Sequence, residues 1–174
     1  MPSSRPAVTT VLIIPGSSAL SDFRRERLLR VLAARDLPVA DIHAQTCHFV
    51  GIDGALDEAG QARLRALLDD GRTIEVPSAE RHAARFLVIP RLGTISPWAS
   101  KATDIARHCG LPQVRRIERG VRYTIVPERR LLGTRALDAD QLAAVAACVH
   151  DRMTETVVDD GFDGQALFAQ LDGQ

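Results

Sequence analysis

Lysine is nearly absent from this chain: of its 22 basic residues only Lys101 is not arginine. Aromatics are scarce at 4%, with a single tryptophan, Trp98, and a single tyrosine, Tyr123. No charge of one sign prevails, because 22 acidic residues balance the 22 basic ones. Such a chain has no one-signed field to draw it onto nucleic acid or an anionic membrane. Long apolar runs are missing as well. Runs such as Val11 to Pro15 and Phe86 to Pro90 have strand length, and none approaches the about 20 residues of a membrane span. The first eight residues are polar and lack the apolar core of a secretory leader. The three cysteines, Cys47, Cys109 and Cys148, are odd in number and widely spaced. That usage predicts reduced, packed thiols in a cytoplasmic protein.

Chemical motifs are equally sparse. The five histidines, His43, His48, His82, His108 and His150, show no HExxH spacing and no zinc-type grouping with cysteine. His43 and His48 lie five apart on a predicted strand and so point to opposite faces. No GxxxxGK[ST], GxGxxG or GxSxG is present. No catalytic residue and no metal ligand is therefore assigned. What remains is an ordinary globular composition, 45% apolar and 25% charged in 174 residues, suited to one domain or two small fused halves.

The apolar pattern alternates between strand and helix periods. Val11 to Ile14 reads as a strand ending at Pro15-Gly16. Leu20 to Asp36 reads as a helix with Leu20, Phe23, Leu28, Val31 and Leu32 inward, stopped by Pro38. Val39 to Val50 is extended, and Asp57 to Leu68 is a second helix with Leu64, Leu67 and Leu68 inward and Gly71 as its stop. Gly71 to Arg85 is polar and reads as an internal linker. The order then repeats: strand 86–90, helix 98–109, extended chain 114–126, a loop 127–135, a long helix 138–157 and a short terminal helix within 162–171. The long helix carries Leu142, Val145, Val149, Met153 and Val157 on one face.

A 75-residue shift without gaps strengthens the repetition. Leu12, Ile14, Pro15, Ser21, Val39 and Ile42 fall on Leu87, Ile89, Pro90, Ser96, Val114 and Ile117. Val11, Ile13, Leu20 and Phe23 fall on Phe86, Val88, Ile95 and Trp98. Internal repeats decide architecture. This one predicts an α+β fold of two similar half-domains related by a pseudo-twofold axis, with half-repeats 11–70 and 86–157. Ser96-Pro97 reads as a helix N-cap and first helical position, and by the repeat Ser21 caps the first helix.

One segment, 90–104, combines a strand end, a glycine-bearing turn and a helix start. Thr94, Ser96 and Ser100 bring hydroxyls, Arg91 and Lys101 cations, and the helix start unpaired N–H groups. Together these suit a phosphate or carboxylate. A capped helix with a polar first turn accounts for the same residues.

The run Gly93-Thr94-Ile95-Ser96-Pro97-Trp98-Ala99-Ser100-Lys101-Ala102-Thr103-Asp104-Ile105-Ala106, followed by Cys109-Gly110-Leu111, resembles a signature near the start of large-form phosphoribosylformylglycinamidine synthase. The stretches Ala19 to Arg24, His48 to Val50, Arg116 to Tyr123 and His150 to Val157 resemble the same region, so the likeness spans about residues 11–171. Two departures stand out: Ala99 where the family usually has Ser, and Arg107-His108 where it usually has His-Asn. No role is carried onto His108, because one position along a helix turns the side chain by about 100°.

The resemblance implies a domain like a fused dimer of the family's separate small subunit. The family is a glutamine amidotransferase and ligase of purine synthesis. It converts formylglycinamide ribonucleotide, ATP and glutamine into formylglycinamidine ribonucleotide. Its ATP and Mg²⁺ ligands and its glutaminase Cys-His-Glu set lie in later regions, and none of the three cysteines here matches that set. The expectations are accordingly an excised or truncated domain, inactive alone and holding no cofactor of its own. It would comprise a disordered tail 1–10, the domain 11–157 and the beginning of a linker at 158–174. Its implied partners are the synthetase and glutaminase regions and the substrate nucleotide. Arg91, Thr94, Ser96, Trp98, Ser100, Lys101 and Asp104 are the candidate contact residues. The competing expectation is a stand-alone regulatory module that binds a small anionic metabolite at the seam between the halves.

Overall fold

The computed structural model describes residues 10–72, 80 and 82–169. The predicted tail thus lies outside the described residues except for Thr10, and so does most of the predicted internal linker. In chain order the elements are β1 (Thr10–Ser18), α1 (Asp22–Ala34), β2 (Val39–Ile52), α2 (Glu58–Leu68), β3 (Ala84–Pro90) and α3 (Pro97–His108). They continue with β4 (Val114–Pro127), a two-stranded hairpin β5 (Arg129–Arg130) and β6 (Gly133–Thr134), α4 (Ala139–Val149), β7 (Glu155–Asp159) and α5 (Gln165–Phe168). The fold is α+β, with a five-stranded antiparallel sheet in the order β1-β2-β4-β3-β7.

Side-chain alternation along the strands divides the core into three clusters. Ile42, Ala44, Phe86, Val88, Tyr123 and Ile125 meet Leu32 of α1 and Val145 of α4. On the same face but toward the other strand end, Ile14, Val50, Ile52 and Ile117 meet Leu64 of α2 and Ala106 of α3. The opposite face presents Cys47, Phe49, Leu87 and Ile89, covered by Leu167 and Phe168. Residues 158–168, which the sequence assigned to a linker, therefore pack on the sheet as far as Phe168.

Local chemistry sets the helix starts. Ser21 and Ser96 each accept a hydrogen bond from the N–H three residues on, Arg24 and Ala99, as the repeat predicted. Asp57 caps α2, and Asp138 with Gln141 forms a capping box on α4. The 75-residue offset holds for the starts of α1 and α3 and for both ends of β2 and β4. It fails in the leading strands. Ile13 pairs with Phe49, which the offset would translate to Val88 with Thr124, yet Val88 pairs with Val121. An odd slip of three residues reverses the faces. Ile14 thus packs under the helices, whereas its sequence match Ile89 packs on the opposite side. The slip is absorbed in the turns: three residues join β1 to α1 and six join β3 to α3. Gly120 permits the close crossing of β3, since a Cβ there would sit 2.9 Å from the carbonyl oxygen of Val88.

Three helix expectations are corrected. The predicted helix 138–157 ends at Val149. His150 is extended, a turn follows through Asp151, whose carboxylate accepts from the Met153 N–H, and β7 pairs with the edge of β3. The β-branched run Thr156-Val157-Val158 favours a strand there. Val157 reaches the core from β7, while Met153 is exposed. On α1, Phe23 is 69% exposed and Val31 also faces outward; Leu20, Leu28, Leu29 and Leu32 pack instead. On α2, Leu64 is buried and Leu68 packs against its cluster, but Leu67 is exposed.

Asp41 ties α1 to β2. Arg25 Nε and a terminal guanidinium nitrogen donate to its two carboxylate oxygens at 2.7 and 2.9 Å, and the Ile42 N–H adds a bond at 2.8 Å. Burial raises the Asp41 carboxyl, but these bonds and the charges of Arg25 and His43 outweigh it and hold the group below its usual range. Its stabilisation is therefore full above the unfolded value of about 3.9 and fades as pH falls through the lower folded value. Both partners are about one-third exposed, so solvent screening limits the effect. Asp41→Asn should cost about 1 kcal/mol at neutral pH and flatten the acid limb of the stability curve in denaturant titrations. An unchanged acid limb contradicts this assignment.

Candidate functional site

The segment 90–104 forms a closed turn and the first two turns of α3. The Arg91 N–H donates to the Thr154 carbonyl at 2.9 Å, which anchors the turn to the chain entering β7. The Thr94 hydroxyl and N–H both donate to the Arg91 carbonyl, at 2.7 and 3.2 Å. Ser96 is occupied as the cap, accepting from the Ala99 N–H at 3.0 Å. The buried Thr103 hydroxyl donates to the Ala99 carbonyl and accepts from the Ile117 N–H, at 2.7 and 3.0 Å, and so fastens α3 to β4.

Helical geometry then separates the remaining candidates. Trp98 and Lys101, three apart, share one flank; Ser100 and Asp104, four apart, share the other. Trp98 stacks on His48, with ring centroids 5.9 Å apart and planes inclined by 26°. The Arg119 guanidinium lies over the same indole at 4.6 Å. Lys101 borders a cleft of about 320 Å³ with Leu67, Leu68, Ile105 and Ile117. Its ammonium has no hydrogen-bond or ion-pair partner among the described residues. Ser100 and Asp104 line a cavity of about 200 Å³ with Ile95, Arg107, Arg115 and Arg116. The seven candidates thus do not converge on one anion. Arg91, Thr94 and Ser96 shape the turn and the helix start, and the other four divide between two surfaces.

Arg116 is the residue the sequence reading left without a role. Its side chain is 8% exposed and that of its partner Glu118 is fully buried. Its guanidinium donates to the Thr94 carbonyl at 2.6 Å, to the Leu167 carbonyl at 3.4 Å and to Glu118. One buried cation therefore joins the turn before α3, strand β4 and the C-terminal helix α5. Burial pushes the Glu118 carboxyl up, against the pull of Arg116. The signal was weak: Arg116 and Glu118 lie two apart and so share one face, but the strand also carries Arg115, Arg119 and Arg122. His48 is also buried, and burial with the Arg119 charge pushes its imidazole below the usual value, against a backbone hydrogen bond with Ile14.

A family model described as formylglycinamide ribonucleotide amidotransferase N-terminal matches residues 45–168. The chain belongs to that family. The match runs from the middle of β2 to the last residue of α5. It includes the whole α3 turn, the Arg116–Glu118 pair and residues 158–168. The chain is thus a domain of the purine-biosynthesis amidotransferase, and its candidate site is a feature of that domain.

Two outcomes test this geometry. Arg116→Met leaves Glu118 buried without its cation and should destabilise the domain by about 3–5 kcal/mol. Replacing both partners, Arg116→Met with Glu118→Leu, should restore most of that loss in urea melts. If the double variant is as unstable as the single one, the pair is not the anchor described. For His48, the neutral form is favoured on folding. Its contribution is full above about pH 6.5 and is lost as pH falls through the lower folded value. Imidazole NMR should place its titration below that of a free histidine, and His48→Phe should remove this part of the pH dependence.

Proposed function

We propose that the domain supports conversion of formylglycinamide ribonucleotide, ATP and glutamine into formylglycinamidine ribonucleotide by packing between or beside the synthetase and glutaminase regions of one polypeptide. The family match over 45–168 carries this reading. In the reaction, glutamine hydrolysis releases ammonia, ATP activates the substrate amide oxygen, and ammonia displaces phosphate. Ammonia loses its nucleophilicity on protonation and escapes into water, so the two centres need a closed passage. A domain that shapes part of that passage and of the substrate pocket contributes by excluding water and positioning groups. ATP and Mg²⁺ chemistry belongs to the synthetase region. The half-repeats 11–70 and 86–157 are read as fused copies of a small-subunit fold.

The division of α3 into two flanks supports contact with two neighbours better than capture of one small metabolite. Lys101 supplies a point cation for a phosphate or a partner carboxylate. It is the fifth residue of α3 and exposed, and it has no ion-pair partner among the described residues, so local pairing gives no reason for it. Trp98 packs against His48 and Arg119 and so ties that flank to the sheet.

Lys101→Ala tests the reading. The melting temperature of the domain should change by no more than about 1 °C, as for an exposed unpaired side chain. In the polypeptide that joins this domain to the synthetase and glutaminase regions, the same change should raise the nucleotide KM or lower ammonia transfer about tenfold. That magnitude is one charge-assisted hydrogen bond. A domain that melts several degrees lower while the joined enzyme works normally overturns the role.

A further inference from the structure

Beyond the α3 surface, the apolar groups most open to solvent sit at the tip of the β5–β6 hairpin. Leu131 and Leu132 form its turn, and their relative exposures are 106% and 102%. Arg129 pairs with Thr134 and Arg130 with Gly133, so the strands carry the leucines clear of the core. Arginines flank the turn in the chain: Arg129, Arg130 and Arg135 are all exposed, and Glu128 is the only acid between 128 and 135. The hairpin leaves the sheet beside the exit of α1, where the Glu128 N–H donates to the Pro38 carbonyl at 2.9 Å. On α1 the outward Phe23, Arg27, Arg30, Val31 and Ala34 border a groove of about 490 Å³. Two neighbouring elements thus expose the same chemistry, arginine interleaved with large apolar side chains.

Two fully hydrated leucines gain transfer energy on being buried, and the tight turn that carries them limits the entropy lost in ordering them. A two-stranded hairpin is too small to hold them for its own stability. Arginine forks match carboxylates bidentately. The chain as a whole is uncharged, so it has no general attraction to anionic lipid.

We propose that the 129–134 hairpin is a docking pin that inserts Leu131 and Leu132 into an apolar socket rimmed by carboxylates on a neighbouring region of the amidotransferase polypeptide. This rests on the packing role proposed above. The pin orients the domain from the α1 end, while the α3 flanks face the reacting regions. Its guanidinium rim supplies register and its leucines supply the buried area.

Hydrogen–deuterium exchange tests it, comparing this 174-residue chain with the intact amidotransferase polypeptide that carries the domain. The amides of residues 130–133 should exchange at least tenfold more slowly in the intact polypeptide. Leu131→Ser with Leu132→Ser should abolish that protection. Arg129→Ala with Arg130→Ala, or 0.5 M NaCl, should reduce it several-fold. Because both leucines are exposed, the serine variant of the isolated chain should keep its melting temperature. If residues 91–104 gain protection and the hairpin does not, the pin is overturned and the packing role stands. If neither segment gains protection, both fall. If the hairpin is protected only when phosphatidylcholine–phosphatidylserine vesicles are added, the tip belongs to a membrane and the proposal is wrong.

Discussion

The ladder between β2 and β4 runs the length of both strands, from Val39 opposite Pro127 to Ile52 opposite Val114. Every other element is placed by it. Even-numbered residues of β2 and odd-numbered residues of β4 form the floor beneath four helices. The alternate residues receive α5. Because the side-chain period is two, a slip of one residue in this ladder would exchange a floor of isoleucine and valine for one carrying Arg116 and Glu118. Burial on both faces therefore holds the register from both sides.

The Arg116–Glu118 pair adds placement to that frame. Removing two charges from water is expensive, and a buried ion pair of this kind seldom improves on apolar packing. What it supplies is direction. A guanidinium can satisfy several carbonyls at once, so one side chain fixes the turn at Thr94 relative to the C-terminal helix at Leu167. The turn that opens α3 is thereby held from two sides, by Arg116 from the sheet and by Thr154 from the approach to β7.

For an amidotransferase domain the consequence is a rigid presenting surface. Trp98, packed against both His48 and Arg119, and Thr103, bonded to β4, fasten α3 to the sheet. A helix so fixed presents Trp98 with Lys101 on one flank and Ser100 with Asp104 on the other.

Much of this was legible in the residues. The Ser21 and Ser96 caps, α3 to within one residue at each end and the starts of β2 and β4 follow from hydrogen-bond chemistry and alternation within a few residues of each position. The run 93–106 likewise announced the amidotransferase family. The end of α4 was not legible, because Val157 continues the helical stripe while contributing to the core from a strand. Nor was the outward turn of Phe23, since the stripe on α1 does not say which residues meet the sheet. Leu87 and Ile89 match Leu12 and Ile14 letter for letter, yet they lie on the other face of the sheet. Facing depends on cross-strand register, and three residues added in a turn change it without altering the strand's own sequence. The same holds for the site: spacing puts Trp98 with Lys101 and Ser100 with Asp104, but which pair leans on His48 and which looks onto three arginines depends on how α3 is rolled against β4. Contacts between residues far apart in the chain set that roll, and local pattern carries no record of them.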